Sequence, residues 1–352
     1  MQKDFTGRLL HWNTTENTRT MPWKGEKDPY KIWLSEIILQ QTRVEQGLAY
    51  YQRFIGAFPG IRDLALANDD QVFKLWEGLG YYSRCRNLLA TARFIAFERN
   101  GVFPTSYEEI LTLKGVGPYT AAAIASFAYG HPFAVLDGNV FRVISRFFGI
   151  STPIDTAEGK KMYAQLAHSL LDFEQPGVYN QAIMDFGAVI CKPQSPRCDI
   201  CVQAVECQAF RYQWMDILPV KSKSLQRKTR FLHFFILSYK GGYYVRQRLD
   251  NDIWRNLFEW VLYESDKPQP ATTASMGVVL SGIFPGWQGR IVQVSEPQKQ
   301  QLTHQTIEGT FTWVELTFPL PPGTGYQLLP AETLQQLAFP RFITKYLENN
   351  PL

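Results

Sequence analysis

LKGVGPYTAAAIASFA, residues 113–128, holds the turn on which the fold is read. A helix ends near Leu113, Gly115 and Gly117 permit a tight turn, and Pro118 suits the first position of the next helix. The backbone N–H groups left over at such a turn form an anion site fit for one phosphate. A site of this kind holds a nucleic-acid backbone and does not read bases. A lone G-x-G would be only a helix connection. The whole run L-x-G-V-G-P-x-T-A before an Ala-rich helix is much more specific.

From Pro29 to about Ala209, apolar residues recur at three- and four-residue spacing between short Gly/Pro loops, which predicts a mostly α region. YKIWLSEIILQQTRVEQGLAYYQRFI (30–55) reads as one continuous helical stretch. At 352 residues the chain has room for about two domains. DILPVKSKSLQRKTR is polar and basic, so residues 216–230 read as a linker between residues 1–215 and an α+β domain at 231–352. In that second part FLHFFILSYKGGYYVRQR (231–248) predicts two strands around a Gly-Gly turn, and IVQVSE, EGTFTWVEL and FPRFITKYLE predict two further strands and a terminal helix. The net charge of +4 is compatible with a polyanionic partner and is weak evidence alone. Without an apolar leader or a membrane-length apolar run, the reading is a soluble, cytoplasmic protein with no membrane partner.

GLGYYSRCRN (78–87) sets Tyr81, Tyr82, Arg84 and Arg86 in a turn between helices. Rings and cations together suit a surface that grips phosphates and pushes a ring between bases. Cys191, Cys198, Cys201 and Cys207 follow the pattern C-x6-C-x2-C-x5-C. Such a cluster argues for metal over disulfides in a cytosolic chain, zinc and iron–sulfur both being open. The uneven spacing suits a [4Fe–4S] cubane better than one tetrahedral ion.

Two carboxylates stand out. Glu36 lies in the apolar run IWLSEIILQQT (32–42). Spacing leaves two readings: a desolvated acid with a raised pKa, or a glutamate on the wet face of an amphipathic helix. Asp137, in AVLDGNVFRVISRFFG (134–149), sits where an N-cap belongs, and a capping carboxylate is expected to have a lowered pKa and stay ionised. A protonated acid with an ionised carboxylate cleaves glycosidic bonds through an oxocarbenium-like transition state.

Together these features resemble the helix-hairpin-helix DNA glycosylases with an iron–sulfur cluster, over about residues 5 to 210, and most closely the MutY type of adenine glycosylase. The resemblance implies a monomeric, monofunctional base-excision enzyme acting on double-stranded DNA with an 8-oxoguanine:adenine mispair. It makes Glu36 the acid, Asp137 the carboxylate facing the cation, and Tyr119 and Asn139 their helpers. Gln41 and Tyr81 become duplex wedges, with Arg84, Arg86, Gly115 and Gly117 at phosphates. The four cysteines become ligands of a [4Fe–4S] cluster that shapes a basic loop with Lys192 and Arg197. The C-terminal domain is similar to a Nudix-like module whose loop, QLTHQTIEG (301–309), would bring Thr303 and His304 to 8-oxoguanine. The sister endonuclease III type is a bifunctional pyrimidine-lesion glycosylase and lyase. It carries a catalytic lysine where this chain has Tyr119, and no Schiff base is expected without that amine. A cluster-bearing DNA-binding protein without catalysis is a further alternative, against which the intact Glu36 and Asp137 speak. The arginine that often follows the PW pair is Lys24 here, which cannot make a forked contact.

Overall fold

The computed structural model describes residues 2–222 and 227–352. Twelve helices fall in residues 2–222: α1 (Gln2–Thr15), α2 (Pro29–Leu39), α3 (Val44–Ala57), α4 (Ile61–Leu66), α5 (Asp69–Trp76), α6 (Ser83–Arg93), α7 (Tyr107–Leu111), α8 (Pro118–Tyr129), α9 (Gly138–Phe148), α10 (Ala157–Leu170), α11 (Pro176–Val189) and α12 (Gln208–Tyr212). Their ends follow local chemistry. Asp28 caps α2 by accepting from the Tyr30 N–H, with Pro29 at the first position. Gly117 and Pro118 open α8, and Gly130 closes it in the left-handed region. Asp137 caps α9 through the Val140 N–H.

The stretch read as one helix over 30–55 is two. The chain turns at residues 40–43, and Gln41 takes a φ of 58° there. A side chain held at positive φ strains the backbone, which periodicity does not register.

The chain divides into two compact units, Met1–Leu66 with Arg86–Ser224, and Ala67–Cys85 with Leu225–Leu352. In the first unit, Phe5, Trp12, Ile144, Tyr163, Tyr179 and Phe186 are among the residues of one apolar core. It sets α8, α9 and α11 side by side. Of the expected linker, residues 223–226 lie outside the described residues. Its earlier part is docked on this unit: the Ile154 N–H donates to the Val220 carbonyl and the Ser222 N–H to Asp155.

The second unit holds an eight-stranded mixed sheet: β1 (Lys228–Tyr239), β2 (Gly242–Gln247), β3 (Phe258–Glu259), β4 (Val261–Ser265), β5 (Gly289–Val294), β6 (Gln298–Gln301), β7 (Gln305–Leu316) and β8 (Gln327–Pro330). The path runs β3-β2-β1-β7-β5, with β4 on β1, β6 on β7 and β8 on β2. The long central pair β1 and β7 is parallel. FLHFFIL is apolar without alternation because both faces of β1 are covered. Phe235 and Leu237 meet Met276 and Leu280 of α13 (Thr273–Ile283). On the other side Phe311 stacks with Phe234 and with Phe342 of the C-terminal helix α14 (Arg341–Leu347), and Phe234 tilts against Phe342.

The cysteine segment corrects one expectation. Among the described residues, no three or more His, Cys, Asp or Glu side chains are placed to hold a metal ion. This overturns a [4Fe–4S] cluster on Cys191, Cys198, Cys201 and Cys207, and the metal-binding reading with it. The four thiols line one cavity of about 30 Å³ without converging as a ligand set. Burial raises the pKa of Cys198 and Cys207 and pushes Cys201 up to about 12. Two arginines hold the segment instead. Buried Arg146 donates to the Lys192, Pro193, Met215 and Leu218 carbonyls, and Arg142 to that of Cys191.

Candidate active site

Glu36 lies where α2 has no wet face: every residue from Ile32 to Ile38 is buried. Burial pushes its carboxyl up to about 7. A hydrogen bond with Tyr119 pulls the other way, and the charge of Asp137 adds to the rise. The Tyr119 hydroxyl also approaches the Met184 sulfur at 3.4 Å. Its own pKa is raised well above that of a free phenol by burial and by the two carboxylates. Tyr119 therefore stays a neutral hydrogen-bonding group.

Asp137 stands at the start of α9 with both oxygens engaged. Oδ1 accepts from the Val140 N–H at 2.8 Å and Oδ2 from Asn139 Nδ2 at 2.7 Å. These bonds favour the carboxylate, as the capping argument expects. Burial outweighs them, so the net shift is upward, which corrects the expected lowering. Both oxygens accept hydrogen bonds, an arrangement that suits the ionised form and opposes the effect of burial. Arg142 Nη2 donates to Asn139 Oδ1 at 2.9 Å and to the Gly187 carbonyl at 2.7 Å. The Asn139 amide is thereby fixed with its N–H2 toward Asp137. Gly187 lets α11 pass this close, since a Cβ there would meet Asn139 Cβ at 2.7 Å.

A pocket of about 200 Å³ opens beside Glu36, walled by Trp23, Lys24, Ile32, Ser35, Val178 and Gln181 among others. That is below the roughly 300–1,000 Å³ of sites for drug-sized ligands and suits a single flat base. Lys24, on this wall, donates to the Arg19 carbonyl and to Asp185, each at 3.0 Å.

The other candidate residues lie apart from this pocket. Gly115 (φ +82°) and Gly117 form the turn between α7 and α8, with Gly115 exposed. Tyr81 is 41% exposed at a φ of 48°, so it and Gln41 are both exposed residues in the left-handed region. The Tyr81 hydroxyl bonds to Thr303 Oγ1 within the second unit. Thr303 and exposed His304 sit at the bend joining β6 to β7. Arg84 is turned inward, over the rings of Trp76 and Tyr81, and it donates to the Gly80 carbonyl. Burial lowers its pKa to about 10. Arg86 is half-buried in α6. Sequence reasoning missed Arg142, Gln181 and Asp185. For Asp185 the signal was there: an acid inside the apolar run AIMDFGAV (182–189), as Glu36 is in its own.

A helical hairpin beside a buried acid and a capped carboxylate defines the class, and the model of the HhH-GPD superfamily of base excision DNA repair proteins matches residues 34–168. The chain is 34% identical over 257 residues to the adenine DNA glycosylase of Buchnera aphidicola subsp. Schizaphis graminum, covering 72% of this chain and 73% of that one. For the protein of the same description from the Baizongia pistaciae strain the identity is 37% over 256 residues, with 72% of each chain covered. The human one is 40% identical over 215 residues, 58% of this chain and 39% of its own. The chain belongs to the adenine DNA glycosylase family. Among solved structures, a thermostable thymine-DNA glycosylase superposes with a TM-score of 0.56 at 30% identity, covering 60% of this chain and 97% of that one. An endonuclease III–DNA complex at 18% identity and a TM-score of 0.52, covering 60% and 98%, shares the fold. The matched family region ends before the sheet, and no Nudix-like fold is indicated for residues 231–352, which corrects that expectation.

Proposed function

We propose that the chain is a monofunctional DNA glycosylase that removes adenine mispaired with 8-oxoguanine or guanine from double-stranded DNA. The reading rests on one observation: a buried carboxyl, bonded to Tyr119 and near Asp137, on the wall of a base-sized pocket, where burial pushes its pKa up to about 7.

The adenine is flipped out of the duplex into this pocket. Glu36, still protonated near neutral pH, gives its proton to adenine N7. The C1′–N9 bond breaks and its electron pair leaves with the base. The Asp137 carboxylate faces the oxocarbenium ion that remains. Glu36, now ionised, takes a proton from water as the water oxygen bonds to C1′, which regenerates the acid and leaves an abasic site. Asn139 holds Asp137 in place, and Tyr119 holds Glu36. The N–H groups of the 115–119 turn take one phosphate. Gln41 and Tyr81, exposed and strained, enter the duplex, and Thr303 with His304 inspects the opposite base.

A lysine-based lyase finds less support. Tyr119 offers no amine, and the Lys24 ammonium is tied into an ion pair with Asp185. The test is single-turnover excision from duplexes with adenine opposite 8-oxoguanine, resolved with and without hot alkali, beside a thymine-glycol duplex. Breaks on the adenine strand only after alkali are expected. Breaks without alkali, or on thymine glycol alone, would overturn the proposal.

A further inference from the structure

Asp185 has no part in the steps above, yet it is fully buried on α11 and four groups converge on it. Arg19 and Gln181 donate to Oδ1 at 2.8 and 3.0 Å. Lys24 and Asn17 donate to Oδ2, both at 3.0 Å. Three of the four donors come from the stretch between α1 and α2, which holds only turns and coil over residues 17–28. That stretch has no ladder of its own; two turn bonds, Lys24 N–H to the Met21 carbonyl and Glu26 N–H to that of Trp23, and the Trp23–Tyr51 ring contact hold its later part, and the buried carboxylate ties Asn17, Arg19 and Lys24 together. Two of the four donors, Lys24 and Gln181, are also walls of the pocket that contains Glu36.

Charge gives this anchor a second consequence. Arg19 and Lys24 bring two cations against one buried anion. A cation set free beside Glu36 would favour its ionised form and take away the proton it must donate. It would also oppose the positive charge that builds on a protonated purine. The other ionisable groups around Glu36 are Tyr119 and Asp137 on one side and Glu26 and Lys27 on the pocket wall. Glu26 is paired with Lys31, and Lys27 donates to the Phe127 carbonyl. Of the two lysines on this wall, Lys24 is the one whose charge a buried carboxylate neutralises.

We propose that Asp185 is a positioning residue for excision: it fixes residues 17–24 and Gln181 as the wall of the base pocket and neutralises that wall beside Glu36. This rests on the adenine-excision reading. It acts through Lys24 and Gln181 and touches no reacting atom.

The experiment is the pH dependence of the single-turnover excision rate on an 8-oxoguanine:adenine duplex, normalised to active sites titrated by burst amplitude. In the unmodified protein the rate is expected to fall as Glu36 loses its proton, near pH 7. Asp185→Asn keeps the shape of the side chain and removes its charge. Its alkaline limb is expected to move down by about one pH unit, with a rate loss of at least ~10-fold at pH 7.5, the product of that shift and a looser wall. Adding Lys24→Met to Asp185→Asn should return the limb upward. Arg19→Gln leaves Lys24 on Asp185 and removes one cation, so its limb should move the opposite way, to higher pH. This variant retains an ion pair and serves if Asp185→Asn does not fold. A merely structural role would lower the titrated active fraction and leave both limbs in place, and that result overturns the proposal. If the unmodified protein releases no adenine, the functional reading itself has failed, which is a distinct result.

Discussion

At the scale of single residues, the proposed chemistry is assigned to two carboxylates, and only one had a legible environment. Asp137 could be read as a cap because a cap is a local feature. The cap alone predicts a lowered pKa, and the direction is the opposite, since burial outweighs two hydrogen bonds. Glu36 was undecided because helical spacing assumes one wet face, and α2 has none between Ile32 and Ile38. Its raised pKa links activity to stability. A folded-state pKa of about 7 against an ordinary 4.5 means that the native state holds more protons than the unfolded state between those values. Stability therefore falls as pH rises through that window and levels off above 7. The accumulated loss is about 3 kcal/mol at 1.36 kcal/mol per unit. Glu36→Gln removes the burial cost of the charge. It should lower the excision rate by about 10²–10⁴-fold and raise unfolding stability at pH 8, not at pH 4.5. Urea titrations at the two pH values check this. Equal effects at both would mean that Glu36 titrates normally.

At the scale of elements, the hairpin was the most legible part, because Gly and Pro punctuate it at fixed offsets. The break at residues 40–43 was not, since nothing in LQQTR carries a Gly or Pro there. The short strands β3, β4, β6 and β8 escaped notice for a related reason: they exist through their partners and not through their own pattern. The two hairpin glycines make separable demands. Gly115 has a φ of +82° and its added Cβ would meet Asn87 Cβ at 2.7 Å, so Gly115→Ala should cost about 1–2 kcal/mol from the left-handed backbone alone. Gly117 has an ordinary φ of −100° and open space around the added Cβ. Gly117→Ala should therefore fold as stably as the parent, and any weakening of its binding to duplex DNA reports on phosphate approach to the turn. Thermal melting with fluorescence anisotropy on an uncleavable duplex separates the two. Equal destabilisation by both substitutions would contradict this account.

At the scale of the whole molecule, what could not be read was which parts of the chain belong together. Four cysteines at suggestive spacing are a signal along one dimension, and ligation needs side chains to converge in three. Here the ordering of that segment falls to Arg142 and Arg146, which no spacing rule picks out. The grouping of residues 67–85 with the sheet was equally hidden. It becomes intelligible from three contacts within that unit. Lys74 donates to the Leu337 carbonyl, the Phe339 N–H donates to Glu77, and Gln247 Nε2 approaches Asp70. Tyr81, from the same segment, bonds to Thr303. A boundary drawn at the change of composition near residue 216 therefore separates α5 from its own unit. A chain ended at residue 222 should keep Asp137, Tyr119 and the pocket beside Glu36, whose residues all lie in the first unit. It should lose protection in 67–85, because these contacts are gone and local stability follows local contacts. Hydrogen exchange followed by mass spectrometry reads this directly. Peptides spanning α5 and the Tyr81 turn should exchange far faster in the shortened chain, while those of α8 and α9 keep their rates. If α5 stays as protected without residues 227–352, its order does not come from the sheet unit, and Tyr81 is held by the helices alone.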